Sequence, residues 1–139
     1  DITLVRKMFR DDMEAYRAKA EIISSAEVYR ERFAIATGVG LAIESPTIVG
    51  AQAANELLDI NAIKASFVLT EYNGRIYISA RSIDEVNVQI IMERLGGGGN
   101  HSAAGAQLPN TTPEEADRLI TEAIEGYFAD QEKQKAEEN

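Results

Sequence analysis

IKASFVLTEYNGRIYISARS, residues 63–82, decides the fold. Two apolar runs, Ile63 to Glu71 and Arg75 to Ser82, flank the dipeptide Asn73-Gly74. Asn-Gly is the strongest short hairpin signal, because a type I′ turn requires positive φ at both central residues. The segment predicts an antiparallel pair of strands. Outward on the N-terminal side, Ser45-Pro46 marks a helix start, with serine as N-cap and proline at the first helical position. Ile48, Ala51, Ala54, Leu57 and Leu58 give that helix a core face as far as Asp59. Alternation of Phe33, Ile35, Thr37 and Val39 between Arg32 and Leu41 predicts a further strand. Ile2, Val5, Phe9, Met13, Tyr16, Ala20 and Ile23 repeat at helical spacing and predict a helix from Ile2 to Ser24.

On the C-terminal side, Val88, Ile91, Met92 and Leu95 predict a short helix ended by glycines. Ala103 to Leu108 reads as a strand of small residues. Thr112-Pro113-Glu114-Glu115 is a capping box opening a last helix, whose stripe is Ala116, Leu119, Ile120, Ala123, Ile124, Tyr127 and Phe128. The order predicts an α/β fold: a small mixed β-sheet flanked by helices, with an N-terminal connecting helix. Residues 1–25 form that connecting helix, residues 26–129 the domain, and residues 130–139 a charged tail that frays.

A chain of 139 residues suits one domain with a real core. No cysteine is present, so neither a disulfide framework nor a thiolate site or nucleophile exists. No apolar stretch approaches the roughly 18 residues of a membrane span. The first residue is Asp1, not methionine, and the chain reads as a piece of a longer protein. The net charge of −9 opposes binding of duplex DNA, which needs a basic surface. That charge is unevenly spread. From Ala106 onward there are nine acidic and three basic residues, whereas Tyr72 to Gly105 carries three of each. A small anion fits this neutral island; a long polyanion would be repelled by the rest.

Within the island lies Gly96-Gly97-Gly98-Gly99-Asn100-His101-Ser102. Four glycines have no use in a packed core, since glycine loses the most backbone entropy on folding. They suit a close backbone approach or an anion-binding concavity of N–H groups. Set between two well-patterned helices and beside the chain's one histidine, the run reads as a phosphate- or nucleotide-contacting loop rather than a linker. Arg81 ends a predicted strand, where α/β folds place ligand groups, and its guanidinium can fork onto phosphate; a surface ion pair with Asp84 or Glu85 is the equal alternative. Asn87 opens the next helix, either as a cap or as support for an anion. His101 is the donor the chemistry of phosphate favours, with Asn100 shaping the turn through its tolerance of positive φ. Ser102 has no base nearby in sequence to make it a nucleophile. No His/Asp set stands at metal-ligand spacing.

Ile78-Ser79-Ala80-Arg81-Ser82, then Asn87-Val88, the four glycines, and Ala103-Ala104-Gly105-Ala106-Gln107-Leu108 resemble, as an ordered set, the DHH-associated domain of DHH phosphoesterases. Within that superfamily they look most like the cyclic-di-AMP phosphodiesterases of the GdpP type. The resemblance spans roughly Arg32 to Phe128, and Ile2 to Ser24 matches the connecting helix. It implies a preceding DHH domain carrying manganese on Asp and His residues, with this domain closing over the cleft and contributing no catalytic or metal-binding residue. It further implies that Arg81 and Ser82 contact phosphate, that Asn87 supports them, and that Gly96 to Gly99 cradle it. Asn100, His101 and Ser102 complete the implied substrate set. The family places a histidine directly after the glycines; here Asn100 occupies that position and His101 follows. The implied ligand is a cyclic dinucleotide or short oligonucleotide, in a cytoplasmic protein tethered to the inner face of the plasma membrane, with room for a homodimer. The alternatives are the same domain of an oligoribonuclease or RecJ-like nuclease, and the RNA-binding domain appended to alanyl-tRNA synthetases.

Overall fold

Positive φ at Asn73 (52°) and Gly74 (74°) closes the expected hairpin. Around it the computed structural model, which describes residues 1–138, builds ten elements. They are α1 (Ile2–Ser24), β1 (Glu27–Tyr29), β2 (Phe33–Gly38), α2 (Pro46–Leu57), β3 (Ala65–Tyr72), β4 (Arg75–Ser82), α3 (Val88–Glu93), β5 (Gly98–Gly99), β6 (Ala103–Pro109) and α4 (Pro113–Glu138). The sheet order is β1-β2-β3-β4-β6-β5. Strands β2 and β3, joined through α2, are parallel; the other neighbours are antiparallel. The mixed α/β sheet expected from the sequence is therefore present, with two strands more than the patterning showed.

Strand alternation divides the core into two layers. Phe33, Phe67, Leu69, Ile76, Ile78 and Ala80 point to one face, where Val88, Ile91 and Met92 of α3 and Ile120, Ile124 and Tyr127 of α4 cover them. Ala34, Ala36 and Val68 point to the other, under Val49, Ala53 and Leu57 of α2 and Ala18 and Ile22 of α1.

Three helices depart from the sequence reading. In α1 the buried positions are Ala18 and Ile22, while Val5, Phe9 and Tyr16 are each more than half exposed. Helical spacing reveals that a face exists; only the second half of this helix reaches α2 and β2. In α2 the core face is turned by about one residue: Val49, Gly50 and Ala53 are buried and Ile48 is exposed. Ser45 stands at its N-cap without a side-chain hydrogen bond. Helix α4 continues through the charged tail to Glu138 instead of fraying after residue 129, and Asn139 lies outside the described residues. At its start Thr112 accepts a hydrogen bond from the Glu115 N–H (3.1 Å), one half of the expected capping box.

Candidate functional site on the open face of the sheet

Because side chains alternate along a strand, β4 shows different chemistry on its two sides. Ile76, Ile78, Ala80 and Ser82 are buried beneath α3 and α4. Arg75, Tyr77, Ser79 and Arg81 point the other way. Strand β6 repeats the division: Ala104, Ala106 and Leu108 face inward, and Ala103, Gly105 and Gln107 share the side of Arg81. The register sets Tyr77 opposite Gln107, Ser79 opposite Gly105 and Arg81 opposite Ala103. Helix α2 covers β3 and the near side of β4. Beside it a groove of about 550 Å³ opens over β4 and β6, lined by Thr47, Arg75, Tyr77, Ser79, Gln107 and the backbone of Gly96, Gly97 and Gly105.

Arg81 stands at one end of this face, half-buried. Its Nη1 donates to the carbonyl of Ala80 (2.9 Å), and the carbonyl of Ala104 lies 3.5 Å away. The carboxylates weighed as its partners are engaged elsewhere: Asp84 pairs with Lys64 (2.6 Å) and Glu85 faces Arg32 (3.9 Å). Partial burial lowers the guanidinium's pKa from its ordinary value, because desolvation disfavours charge. A cation held out of water with carbonyls but no counter-anion among the described residues is poised for an anionic ligand.

Ser82 lies on the opposite face. It is 4% exposed, and its hydroxyl has the carbonyls of Val86 (2.7 Å) and His101 (3.0 Å) as acceptors. It ties the loop before α3 to the turn before β6. Arg81 and Ser82, adjacent in sequence, are thus separated by the sheet. Asn87 caps α3, its Oδ1 accepting from the N–H groups of Gln89 (3.0 Å) and Ile90 (3.4 Å). Its own N–H donates to the Tyr127 hydroxyl (3.2 Å), on the α4 side. Asn87→Ala should therefore cost about 1 kcal/mol of stability in urea unfolding, with Asn87→Asp or Asn87→Ser retaining most of it.

The four glycines do different things. Gly96, at φ 81°, ends α3, and its N–H donates to Glu93 (3.1 Å). The Gly97 N–H donates to Met92 (2.9 Å), and a Cβ there would lie 2.0 Å from the Gly105 carbonyl oxygen. Gly99, at φ 146°, lies so close to β6 that a Cβ would meet the Ala103 oxygen at 2.5 Å. Gly98 faces open space. Gly98 and Gly99 form the edge strand laid against β6, Gly98 half-buried and Gly99 exposed.

Asn100 shapes the following turn, but not by positive φ, which it does not adopt. Its Oδ1 accepts from the N–H groups of Ser102 (3.1 Å) and Ala103 (2.9 Å), while its N–H donates to the Ala103 carbonyl (2.8 Å). Glycine at this position would lose those side-chain bonds. His101 is exposed, with Nε2 3.1 Å from the Asp84 carbonyl oxygen. Ser102 is exposed beside it. Arg75, Tyr77, Ser79 and Gln107 escaped the sequence reading. Their signal was the two-residue spacing 75, 77, 79, 81, which acquires meaning only when β6 is known to be the neighbour.

A mixed sheet with this open face, a glycine edge strand and an arginine without an ion-pair partner among the described residues make up a small α/β domain. The chain matches the DHHA1 domain family over residues 42–130 and belongs to it. It is 39% identical over 129 residues to the cyclic-di-AMP phosphodiesterase PdeA of Listeria monocytogenes serotype 1/2a (strain 10403S), covering 92% of this chain and 20% of that protein. It is 41% identical over 129 residues to the cyclic-di-AMP phosphodiesterase GdpP of Geobacillus thermodenitrificans (strain NG80-2), with the same coverage of 92% and 20%. The chain thus spans about a fifth of the length of these relatives. Its fold superposes on an exopolyphosphatase-related protein from Bacteroides fragilis with a TM-score of 0.73 at 24% identity, covering 82% of this chain and 35% of that one. Among the described residues no three His, Cys, Asp or Glu side chains are grouped to hold a metal ion, and no helix is long and apolar enough to cross a membrane.

Proposed function

We propose that this chain is the substrate-binding domain of a metal-dependent phosphodiesterase that hydrolyses cyclic-di-AMP to the linear dinucleotide. The observation that carries the reading is Arg81. It is a half-buried guanidinium without a counter-anion among the described residues, on an open sheet face, in a chain about two-fifths identical to two cyclic-di-AMP phosphodiesterases. Such a group binds a phosphate diester in bidentate fashion and holds it in one orientation.

The described residues do not fit manganese, since among them no cluster of ligands is grouped to hold it. The reading places the metal on a preceding DHH domain, and this chain's part is to bind and orient the substrate. Half-buried Gly98 and exposed Gly99 offer backbone next to the arginine's strand pair, and His101 and Ser102 lie in the exposed turn that follows. On this reading His101 donates to a phosphate through the ring nitrogen left free, since its Nε2 lies 3.1 Å from the Asp84 carbonyl oxygen, while the Oδ1 of Asn100 holds the turn. Ser82 and Asn87 contribute by fixing the loops around that turn and α3.

The test compares the complete protein with this chain alone, each given cyclic-di-AMP and manganese. The complete protein should release the linear dinucleotide, and the chain alone should release none, because water activation needs clustered metal ligands. Failure of the complete protein to act on cyclic-di-AMP, or turnover by the isolated chain, would overturn the reading.

A further inference from the structure

We infer that the β4–β6 groove running from Arg75 to Ser79, with Arg81 beyond it on the same face of the strand, is a nucleobase subsite, in which Tyr77 supplies the stacking surface and Gln107 reads the base edge. The inference rests on the reading of Arg81 as a phosphate contact and extends it along the strand. Tyr77 and Gln107 are directly opposed in the register, which brings their Cβ atoms to about 5 Å on one face. A tyrosine ring stacks on any base, and a primary amide offers both a donor and an acceptor to a base edge. Tyr77 is held by the ring of Tyr72, centroids 6.3 Å apart and tilted by 54°.

Between Tyr77 and Arg81 stands the pair Ser79 and Gly105, whose small side chains leave room for a sugar. Tyr77 and Arg81 are four residue steps apart along the strand, about 13 Å between their Cα positions. A nucleotide lying along the strand, with the side chains reaching toward its base and its phosphate, fits that span. The groove's volume of about 550 Å³ accommodates a nucleoside. Charge makes the same point. In a protein of net charge −9, no carboxylate lines this groove, and Arg75 at its far end makes no ion pair among the described residues. By contrast the apolar cleft between α1 and α2 is rimmed by Asp11, Asp12, Glu14 and Glu44. An anionic nucleotide is favoured in the first and repelled from the second.

The experiment is a titration of the isotope-labelled chain with adenosine 5′-monophosphate and, separately, with inorganic phosphate, followed by amide chemical shifts. The nucleotide should shift the amides of Tyr77, Gly105 and Gln107, and phosphate alone should not. Tyr77→Ala should weaken nucleotide binding about tenfold. Gln107→Ala, an exposed position that leaves the fold intact, should weaken it as well while leaving the response to phosphate unchanged. Nucleotide shifts confined to Arg81 and residues 98–102, shifts identical with the two ligands, or no shifts at millimolar nucleotide would each overturn the subsite. A negative titration alongside normal turnover by the complete protein rejects the subsite and spares the hydrolase reading. A positive titration without such turnover does the reverse.

Discussion

Arg81→Ala in the complete protein should, on the proposed hydrolase reading, lower kcat/KM for cyclic-di-AMP by about two orders of magnitude, a loss of about 2–4 kcal/mol of transition-state binding. The reason is the arginine's setting. Its guanidinium is partly desolvated and touches only the carbonyls of its own strand pair. A phosphate would be its first anionic partner, in surroundings where charge-assisted hydrogen bonds are strong. Arg81→Lys should restore only part of the loss, because an ammonium cannot fork onto two oxygens. Steady-state kinetics of the three proteins decide the matter. Unchanged kinetics in the alanine variant would make Arg81 a structural residue of the β4–β6 pair.

Substituting the glycines one at a time should give sharply different stabilities. Gly97→Ala should cost about 3 kcal/mol, because its Cβ would lie 2.0 Å from the Gly105 carbonyl and meet backbone that cannot yield. Gly98→Ala should stay within about 0.5 kcal/mol of the parent, since open space surrounds that position and its φ is not positive. Urea unfolding midpoints measure both. Equal losses at the two positions would show that the run acts through backbone freedom alone, without close packing against β6.

What was legible in the sequence follows from how local each signal is. Asn73-Gly74 encodes its turn in two residues, and the stripe from Ala116 to Phe128 is long enough to show both its period and its core face. Strands β1 and β5, of three and two residues, are too short for alternation to appear, and β5 is all glycine. They exist because a neighbour is there to pair with. The site divides in the same way. Arg81 was visible from its place near a strand end. Ser82 and Asn87 looked like its companions, yet strand alternation and the α3 cap send them to the other side of the sheet. Tyr77 and Gln107 are 30 residues apart, and only the register of β4 on β6 brings them together.

The shortness of β1 and β5 has a consequence for the protein in a crowded solution. The two ends of the sheet are the places where a foreign strand could add itself, and here they offer ladders of only three and two residues. Brief margins of this kind give an incoming chain too few hydrogen bonds to stay. Behind β5, however, lies β6, seven residues of mostly small side chains with an unbroken backbone. A substitution that unseats the glycine edge would bare that longer margin, and the molecules would then begin to associate with one another.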